Sequence, residues 1–359
     1  MRSTESVADA RRAMEICNAC RYCEGFCAVF PAMELRREFA NADLSYLANL
    51  CHDCRACYHA CQYAPPHEFG INLPKTFAEV RAESYAEYAW PAALARLFDR
   101  NGLLVSLIAA AGLAAVLLLT LFLRSPGVLY GMHRGAGAFY AVIPLGAMVG
   151  VGLLSFVYAM LALSVGVARF WRDMGGGEVR PRPLAHALGD ILTLRNLGGG
   201  GDGCNDIDEA FSNTRRRLHH AMFYGFLLCF AATCIAFVYH DFLGWVAPYP
   251  FVSAPVLLGT VGGIGLLIGT VGLFAIKLIA DPAPSARKLL GMDTALLLLL
   301  AVVAFSGLLL LAFRATGAMG VLLAIHLGSV LTLFLVLPYG KFVHGAYRSA
   351  ALLRFALER

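Results

Sequence analysis

Cysteines at Cys17, Cys20, Cys23 and Cys27, and again at Cys51, Cys54, Cys57 and Cys61, repeat one C-x2-C-x2-C-x3-C run 34 residues further along the chain. Thiolates three positions apart on a tightly winding backbone can converge on one small cube, and this is the bacterial ferredoxin spacing for a [4Fe–4S] cluster. In two-cluster ferredoxins the fourth cysteine of each run ligates the other cluster. Applied here, cluster one takes Cys17, Cys20, Cys23 and Cys61, and cluster two takes Cys51, Cys54, Cys57 and Cys27. Structural zinc competes as a reading, but zinc sites usually pair two C-x2-C units across a longer gap. The runs depart from ferredoxins in one respect. Ala28 and Gln62 stand where ferredoxins carry proline, and Pro31, Pro65 and Pro66 follow a few residues later.

The segment between the runs, PAMELRREFANADLSYLANL, spaces Leu35, Phe39, Leu44 and Leu47 as a helix would. This favours a helical ferredoxin-like domain over the small β-rich type. His52, His59 and His67 lie near the cysteines, and eight cysteines already fill the ligand positions, so these histidines are expected to support or surround the clusters. The N-terminus has no apolar leader, so the cysteines are expected in the cytosol, where thiols stay reduced and available to metals.

Beyond residue 100 the chain becomes apolar. Hydrophobic residues make up 59% of the whole and charged ones 15%, against roughly 25% charged in soluble domains. The net charge of +5 comes with no basic stripe interleaved with aromatics, which argues against nucleic-acid binding. Six apolar runs approach the ~20 residues of a bilayer crossing: Leu103–Leu123, Ala138–Leu163, Ala221–Tyr239, Pro255–Ile279, Thr294–Phe313 and Met319–Pro338. The second is expected to continue as helix over Ser155–Trp171 into water. The expected architecture is therefore all-α: a cytoplasmic two-cluster domain at 1–100 and a six-helix transmembrane bundle at 101–359.

Charge orients the bundle. The connection 169–218, rich in glycine and arginine, carries arginines 169, 172, 180, 182, 195, 215, 216 and 217. Lys277, Arg287 and Lys288 follow the fourth span, and Lys341, Arg348, Arg354 and Arg359 follow the sixth. The other connections hold Arg124, Arg134 and Arg314 alone. Both termini are then cytoplasmic, in a membrane of the bacterial inner type.

Ionisable residues in membrane spans suggest function by default. His219 and His220 open the third span, His240 closes it, His326 lies inside the sixth and His344 follows it. On one continuous helix His326 and His344, 18 residues apart, share a face at about 3.6 residues per turn, separated by ~27 Å. His219 falls nearer the face of His240 than His220 does. The antiparallel third and sixth spans then pair His219 or His220 with His344 near one membrane face, and His240 with His326 near the other. Such pairs are axial ligands for two stacked haems. With no C-x-x-C-H the haem is b-type, held without covalent attachment. Interfacial or structural roles compete for His219, His220, His240 and His344, less readily for His326. His133 is a reserve ligand, and His186 is expected to face solvent.

The loop before the third span, LRNLGGGGDGC, has no preceding strand, so a phosphate cradle is disfavoured. It is expected to pack on the cluster domain or to receive a partner. Cys204 could be a reactive thiol, although a lone cysteine is more often structural, and Cys229 and Cys234 read as small apolar fillers. The glycines of Gly259–Gly272 suggest close helix packing.

Taken together, the doubled cysteine run, the GGGxGC loop, the RRRLHH start of a span and the late histidine pair resemble the citrate/tricarballylate utilization protein B family over essentially the full chain. The membrane part also resembles the cytochrome b (gamma) subunit of respiratory nitrate reductases, in which histidines on two helices hold two haems. The family resemblance implies electrons arriving from a separate FAD-dependent tricarballylate dehydrogenase and leaving for the membrane electron-transfer chain, with quinone as the lipid-soluble acceptor. No G-x-G-x-x-G in a βαβ context and no nucleophile or acid–base constellation occurs, so the chain reads as a redox conduit without its own substrate-converting site. Two alternatives are a subunit of a heterodisulfide-reductase-like or glycolate-oxidase-like assembly, and a citrate/tricarballylate transporter. The first commonly brings extra cysteine-rich domains. The second tends to show internal repeats and broken helices at midplane. The orientation has a direct check: a reporter fused after Arg359 should report the cytoplasmic side, and a periplasmic signal would overturn the topology.

Overall fold

A computed structural model describes residues 3–359, apart from the side chains at 99–101, 116, 120, 123 and 124. The orienting charge expected at Arg124 therefore lies outside the described residues. The fold is helical, and among the described residues its one β feature is an isolated antiparallel bridge between Cys204 and Ser212.

The N-terminal domain is built from α1 (Glu5–Cys20), α2 (Val29–Glu34), α3 (Asn41–Leu50), α4 (Ala56–His59) and α5 (Leu73–Tyr88). Thr4 starts α1 by accepting a hydrogen bond from the Val7 amide, which satisfies one of the free donors of the first turn. Arg21 stops it in the left-handed region, with its amide bonded to the Cys17 carbonyl. Asn72 caps α5 in the same way, with Pro74 in the first turn where no amide donor is needed. Each cysteine run thus begins where a helix ends.

Among the described residues six helices are long and apolar enough to cross a membrane. They lie within α6 (Ala92–Arg124), α9 (Leu145–Asp173), α11 (Thr214–Asp241), α12 (Ala254–Ile279), α13 (Leu290–Phe313) and α14 (Met319–Val336). Short helices α7 (Pro126–Tyr130) and α8 (Ala138–Val142) lie between the first two, α10 (Pro181–Leu192) precedes α11, and α15 (Val343–Leu357) ends the chain. Two expectations change. The second crossing is not continuous from Ala138, because Pro144 cannot extend a helix and α9 starts after it. The sixth does not run unbroken to His344. It stops at Val336, turns through Pro338 and Gly340, and restarts at Val343, so ideal helix geometry does not relate His326 to His344.

Close contact in the bundle comes from small residues. A methyl group at Gly225 would lie 2.4 Å from the Leu266 amide, and one at Gly269 would lie 2.4 Å from the Met222 amide. Glycine therefore lets the α11 and α12 backbones touch, which is how helices associate where lipid offers no hydrophobic drive. At one end of the bundle Asp293 of α13 receives Lys277 of α12 at 2.5 Å and Lys341, in the turn after α14, at 2.9 Å. One carboxylate thereby ties three crossings together.

The N-terminal domain shares a core with the bundle. Val7, Met14, Leu44, Leu47 and Phe77 continue into Phe170 of α9 and Tyr347, Ala351 and Phe355 of α15. Arg36 pairs with Glu358 at 2.6 Å, and Tyr46 donates to Glu358 at 3.0 Å, holding α15 against α3. A valine at Gly262, whose Cβ would stand 2.8 Å from the Cys229 amide and from the Gly225 carbonyl, should separate α11 from α12. Overpacking of this kind costs about 1–3 kcal/mol. The expected result is a lower Tm in detergent for Gly262→Val and no change for Gly112→Val, which meets no neighbour.

Candidate metal centres

The eight cysteines all lie at one end of the bundle, and their sulfurs act on one another in two groups. Burial pushes the Cys17 and Cys23 thiols up to about 12, and for each the strongest neighbouring sulfur is Cys61. Burial also pushes Cys27 up to about 12, helped next by Cys51. Cys54 is held well above its ordinary range by burial and then by Cys27, and Cys57 by burial and then by Cys54 and Cys51. The fourth cysteine of each run therefore stands beside the other run. Cys17, Cys20, Cys23 and Cys61 line one small cavity, and Cys57 of the second run lines it too. Among the described residues no three Cys, His, Asp or Glu side chains are drawn together as ligands of a single ion. A cube presents its metal corners separately and does not need that spacing. Buried thiols that suppress one another's ionisation are suited to a bound cation, because metal coordination deprotonates a thiol outright.

The second run is fastened by its backbone carbonyls. The Cys51 carbonyl accepts from Arg81 at 2.9 Å and from Arg348 of α15 at 2.8 Å. The Asp53 carbonyl accepts from Arg215 at the start of α11, at 2.6 Å, and the Cys54 carbonyl accepts from the Asn205 amide at 2.9 Å. Asp53 and Arg55 lie at φ 57° and 66°, in the left-handed region that most side chains avoid. The contacts from the membrane half hold that strained path.

The glycine loop closes over this run. Gly199 passes 4.0 Å from the Cys54 sulfur, measured from where its Cβ would be, and a methyl at Gly200 would lie 3.2 Å from the Gly25 carbonyl of the first run. Gly200 sits at φ 86°. Glycine is needed there for both conformation and space. Cys204, fully buried, donates to the Leu197 carbonyl at 3.1 Å and packs with Cys54, Ala56 and Leu197. The loop packs on the cysteine domain, as expected. Of the nearby histidines, His52 is buried with Nδ1 2.8 Å from the Leu50 carbonyl, His59 lies 3.9 Å from Asp281, and His67 stacks with Tyr63 and Phe69.

The histidines of the bundle separate. The rings of His219 and His344 meet edge to face with centroids 6.2 Å apart, whereas His220 turns to Tyr224 at 5.9 Å. Two metal–nitrogen bonds of about 2 Å, plus half an imidazole on each side, span about 6 Å. The His344 Nδ1 lies 2.5 Å from the Lys341 carbonyl, so Nδ1 carries the proton and Nε2 keeps its lone pair. Burial, followed by Arg348 and Lys341, keeps His344 neutral well below the ordinary histidine range. His219 Nδ1 is buried without a hydrogen-bond partner. The pair fits an axial ligand set.

His326 and His240 have different surroundings. His326 Nδ1 lies 3.1 Å from the Ser306 hydroxyl, and its ring rests on Gly307. It lines a cavity of about 290 Å³ with Phe226 and Thr233 of α11, Gly259 and Gly263 of α12, and Gly307 of α13. His240 is not among the residues lining that cavity; its ring meets Tyr140 at 5.5 Å. His133 bonds the Val128 carbonyl at 2.9 Å, and His186 is exposed. Arg55, Arg81, Arg215 and Arg348, which surround the second run, carry no spacing signal in the sequence and emerge only from the fold.

Residues 10–87 match the family described as Citrate utilization protein B Fer4-like domain, and residues 96–359 match the family described as Citrate utilization protein B. The chain is 52% identical over 358 residues to the Citrate utilization protein B of Escherichia coli, spanning 99% of this chain and 93% of that protein. No solved structure matches.

A larger side chain at Gly200 should lift the loop from the first run. In Gly200→Val, Cys204 is expected to react with maleimide under native conditions, read by peptide mass mapping, while it stays protected in the unmodified protein. Continued protection would show that the loop does not depend on Gly200.

Proposed function

The chain belongs to the citrate utilization protein B family, and from that footing we propose that it carries electrons from the reduced FAD of a soluble dehydrogenase to the membrane quinone pool. Tricarballylate dehydrogenase is the proposed donor, and the cytoplasmic side of the membrane is the proposed location of the cysteine domain. Bound iron–sulfur clusters and b-type haem would supply one-electron carriers between a flavin and a lipid-soluble quinone.

The observation that carries this reading is the order of the groups. Cys17, Cys20, Cys23 and Cys61 form the outer set, near exposed Tyr22. Cys27, Cys51, Cys54 and Cys57 form the set fastened to the bundle. His52 follows Cys51 directly and is buried against the Leu50 carbonyl. His219 and His344 come next, at the end of the crossings. Each set of side chains would hold its group rigidly, through capped helix ends for the outer cysteines, arginine-bound carbonyls for the inner ones, and the Lys341 carbonyl for His344.

His219 and His344 are the proposed ligands of one haem. His326, with Nδ1 engaged by Ser306 and a cavity beside it, is the proposed ligand of a second, and the facing ligand expected at His240 finds less support because His240 stands against Tyr140. In a transporter, a membrane cavity would be expected to offer polar groups to a tricarboxylate. The cavity beside His326 is lined mainly by apolar residues and glycine, which disfavours that reading.

Reduced partner flavoprotein, added anaerobically to the purified protein, is expected to reduce its haem in the visible spectrum. Intact clusters with no haem reduction would sink the direction of flow. His344→Ala should lower the haem content measured as pyridine haemochrome, whereas His220→Ala should leave it unchanged.

A further inference from the structure

Three guanidiniums in or beside the second cysteine run, those of Arg55 and Arg81 buried and that of Arg348 half-buried with its Nε enclosed, have no carboxylate within ion-pairing distance among the described residues, and Asp53 is the acid that acts on Arg81 from further away. Arg81 is 3% exposed, Arg55 is 9% exposed, and Arg348 donates inward from α15 to the carbonyl of Cys51. Arg81 bonds the Ala48 and Cys51 carbonyls, and Arg55 bonds the Asp206 and Asp281 carbonyls and the Ser285 hydroxyl. All three keep a buried Nε–H with no hydrogen-bond partner. Arg36, Arg215 and Arg354, by contrast, each have a carboxylate within ion-pairing distance. Two of these cations, Arg81 and Arg348, even share one carbonyl. Burying like charges together is costly unless an anion compensates them.

The first run has no such surround. Arg21 is exposed and turns to the Asn18 carbonyl, Arg12 bonds the Phe69 carbonyl, and Arg36 is committed to Asp43 and Glu358. The polar group on its sulfurs is neutral: Gln62 reaches Cys20 at 3.7 Å.

A cube held by four thiolates is a dianion when oxidised and a trianion when reduced, so taking up one electron adds one negative charge. Nearby cations favour the reduced form and raise the reduction potential, while burial disfavours the added charge. Burial acts on both cysteine sets. The buried guanidiniums act on one, in surroundings that screen them weakly.

We propose that Arg55, Arg81 and Arg348 hold the second cysteine set at a higher reduction potential than the first, so that an electron entering at the outer set moves inward to the His219–His344 end. This rests on reading both cysteine sets as [4Fe–4S] sites. The electron leaves the reduced outer cluster, which is oxidised, and reduces the inner one, with no proton moved. Arg348 also sits one helical turn after His344, so the residue that bonds the Cys51 carbonyl shares α15 with a member of the histidine pair.

The test is a redox titration of the purified full chain followed by electron paramagnetic resonance. Cys20→Ala, which removes an outer ligand, identifies the signal of the inner cluster. In the unmodified protein the inner cluster should titrate at the higher potential. In Arg81→Gln and Arg348→Gln its ratio of reduced to oxidised form at fixed potential should fall by roughly tenfold, with the outer cluster unmoved. Arg81→Lys and Arg348→Lys, which keep the charge, should keep the potential. An inner cluster below the outer one, an unmoved midpoint in both glutamine variants, equal movement of both clusters, or lysine variants that shift as far as glutamine would each overturn the proposal. Absence of cluster signals in the unmodified protein would instead overturn the reading of the cysteines on which it stands.

Discussion

The carbonyl of Cys51 is the joint on which the two halves of the molecule depend. It accepts one guanidinium from α5 of the N-terminal domain and another from α15 at the far end of the chain. A carbonyl has two lone pairs, and here both are taken by charged donors, whose hydrogen bonds are roughly twice as strong as neutral ones. The next residues are tied in the same way, Asp53 to Arg215 and Cys54 to Asn205. A segment that winds through two left-handed residues would relax if left alone. It holds its shape because residues remote in sequence, from the connection before α11 and from α15, reach it together.

That joint gives purpose to features of the bundle that would otherwise look unrelated. The glycine contacts of α11 with α12 set where α11 begins, and Arg215 and His219 lie in its first two turns. The Asp293 clamp fixes the turn after α14, from which Lys341 offers its carbonyl to His344. Tyr347, packed between Tyr85, Tyr88 and Phe170, positions α15 from the other side. Arg348 follows it and reaches the Cys51 carbonyl. The end of the membrane bundle and the cysteine domain are therefore one core rather than a domain set on an anchor.

The cysteine runs, the helical character of the N-terminal domain and the six apolar crossings were legible in the sequence because each is a local pattern: spacing, periodicity and length. The pairing of His219 with His344 was also within reach, since antiparallel crossings bring their near ends together. What failed to show was anything depending on how helices end. Pro144 and Pro338 lie inside runs that hydropathy reads as continuous, and apolar composition carries no record of a missing amide donor. The arginines were harder still. Arg81 looks like one of many charges on an amphipathic helix, and Arg348 like one more positive residue after the last span. Only the fold shows that both donate to the same carbonyl.

The glycine loop follows from the same logic. The loop covers Cys54 closely, and any side chain at Gly199 or Gly200 would hold it away. A run of glycines is the solution with the closest approach, and its cost is the conformational freedom that glycine loses on ordering. That cost must be met by anchors at both ends of the turn. Leu197 and Cys204 supply them by packing on Cys54 and Ala56, with the Cys204 thiol bonded to the Leu197 carbonyl and the isolated Cys204–Ser212 bridge closing the loop behind. Cys204 thus has a structural use that needs no reactivity: it is small, apolar and still able to donate one hydrogen bond inside a dry contact. A serine there would keep the bond but bring a more strongly hydrated group beside Cys54, and an alanine would keep the dryness but leave the Leu197 carbonyl unpaired.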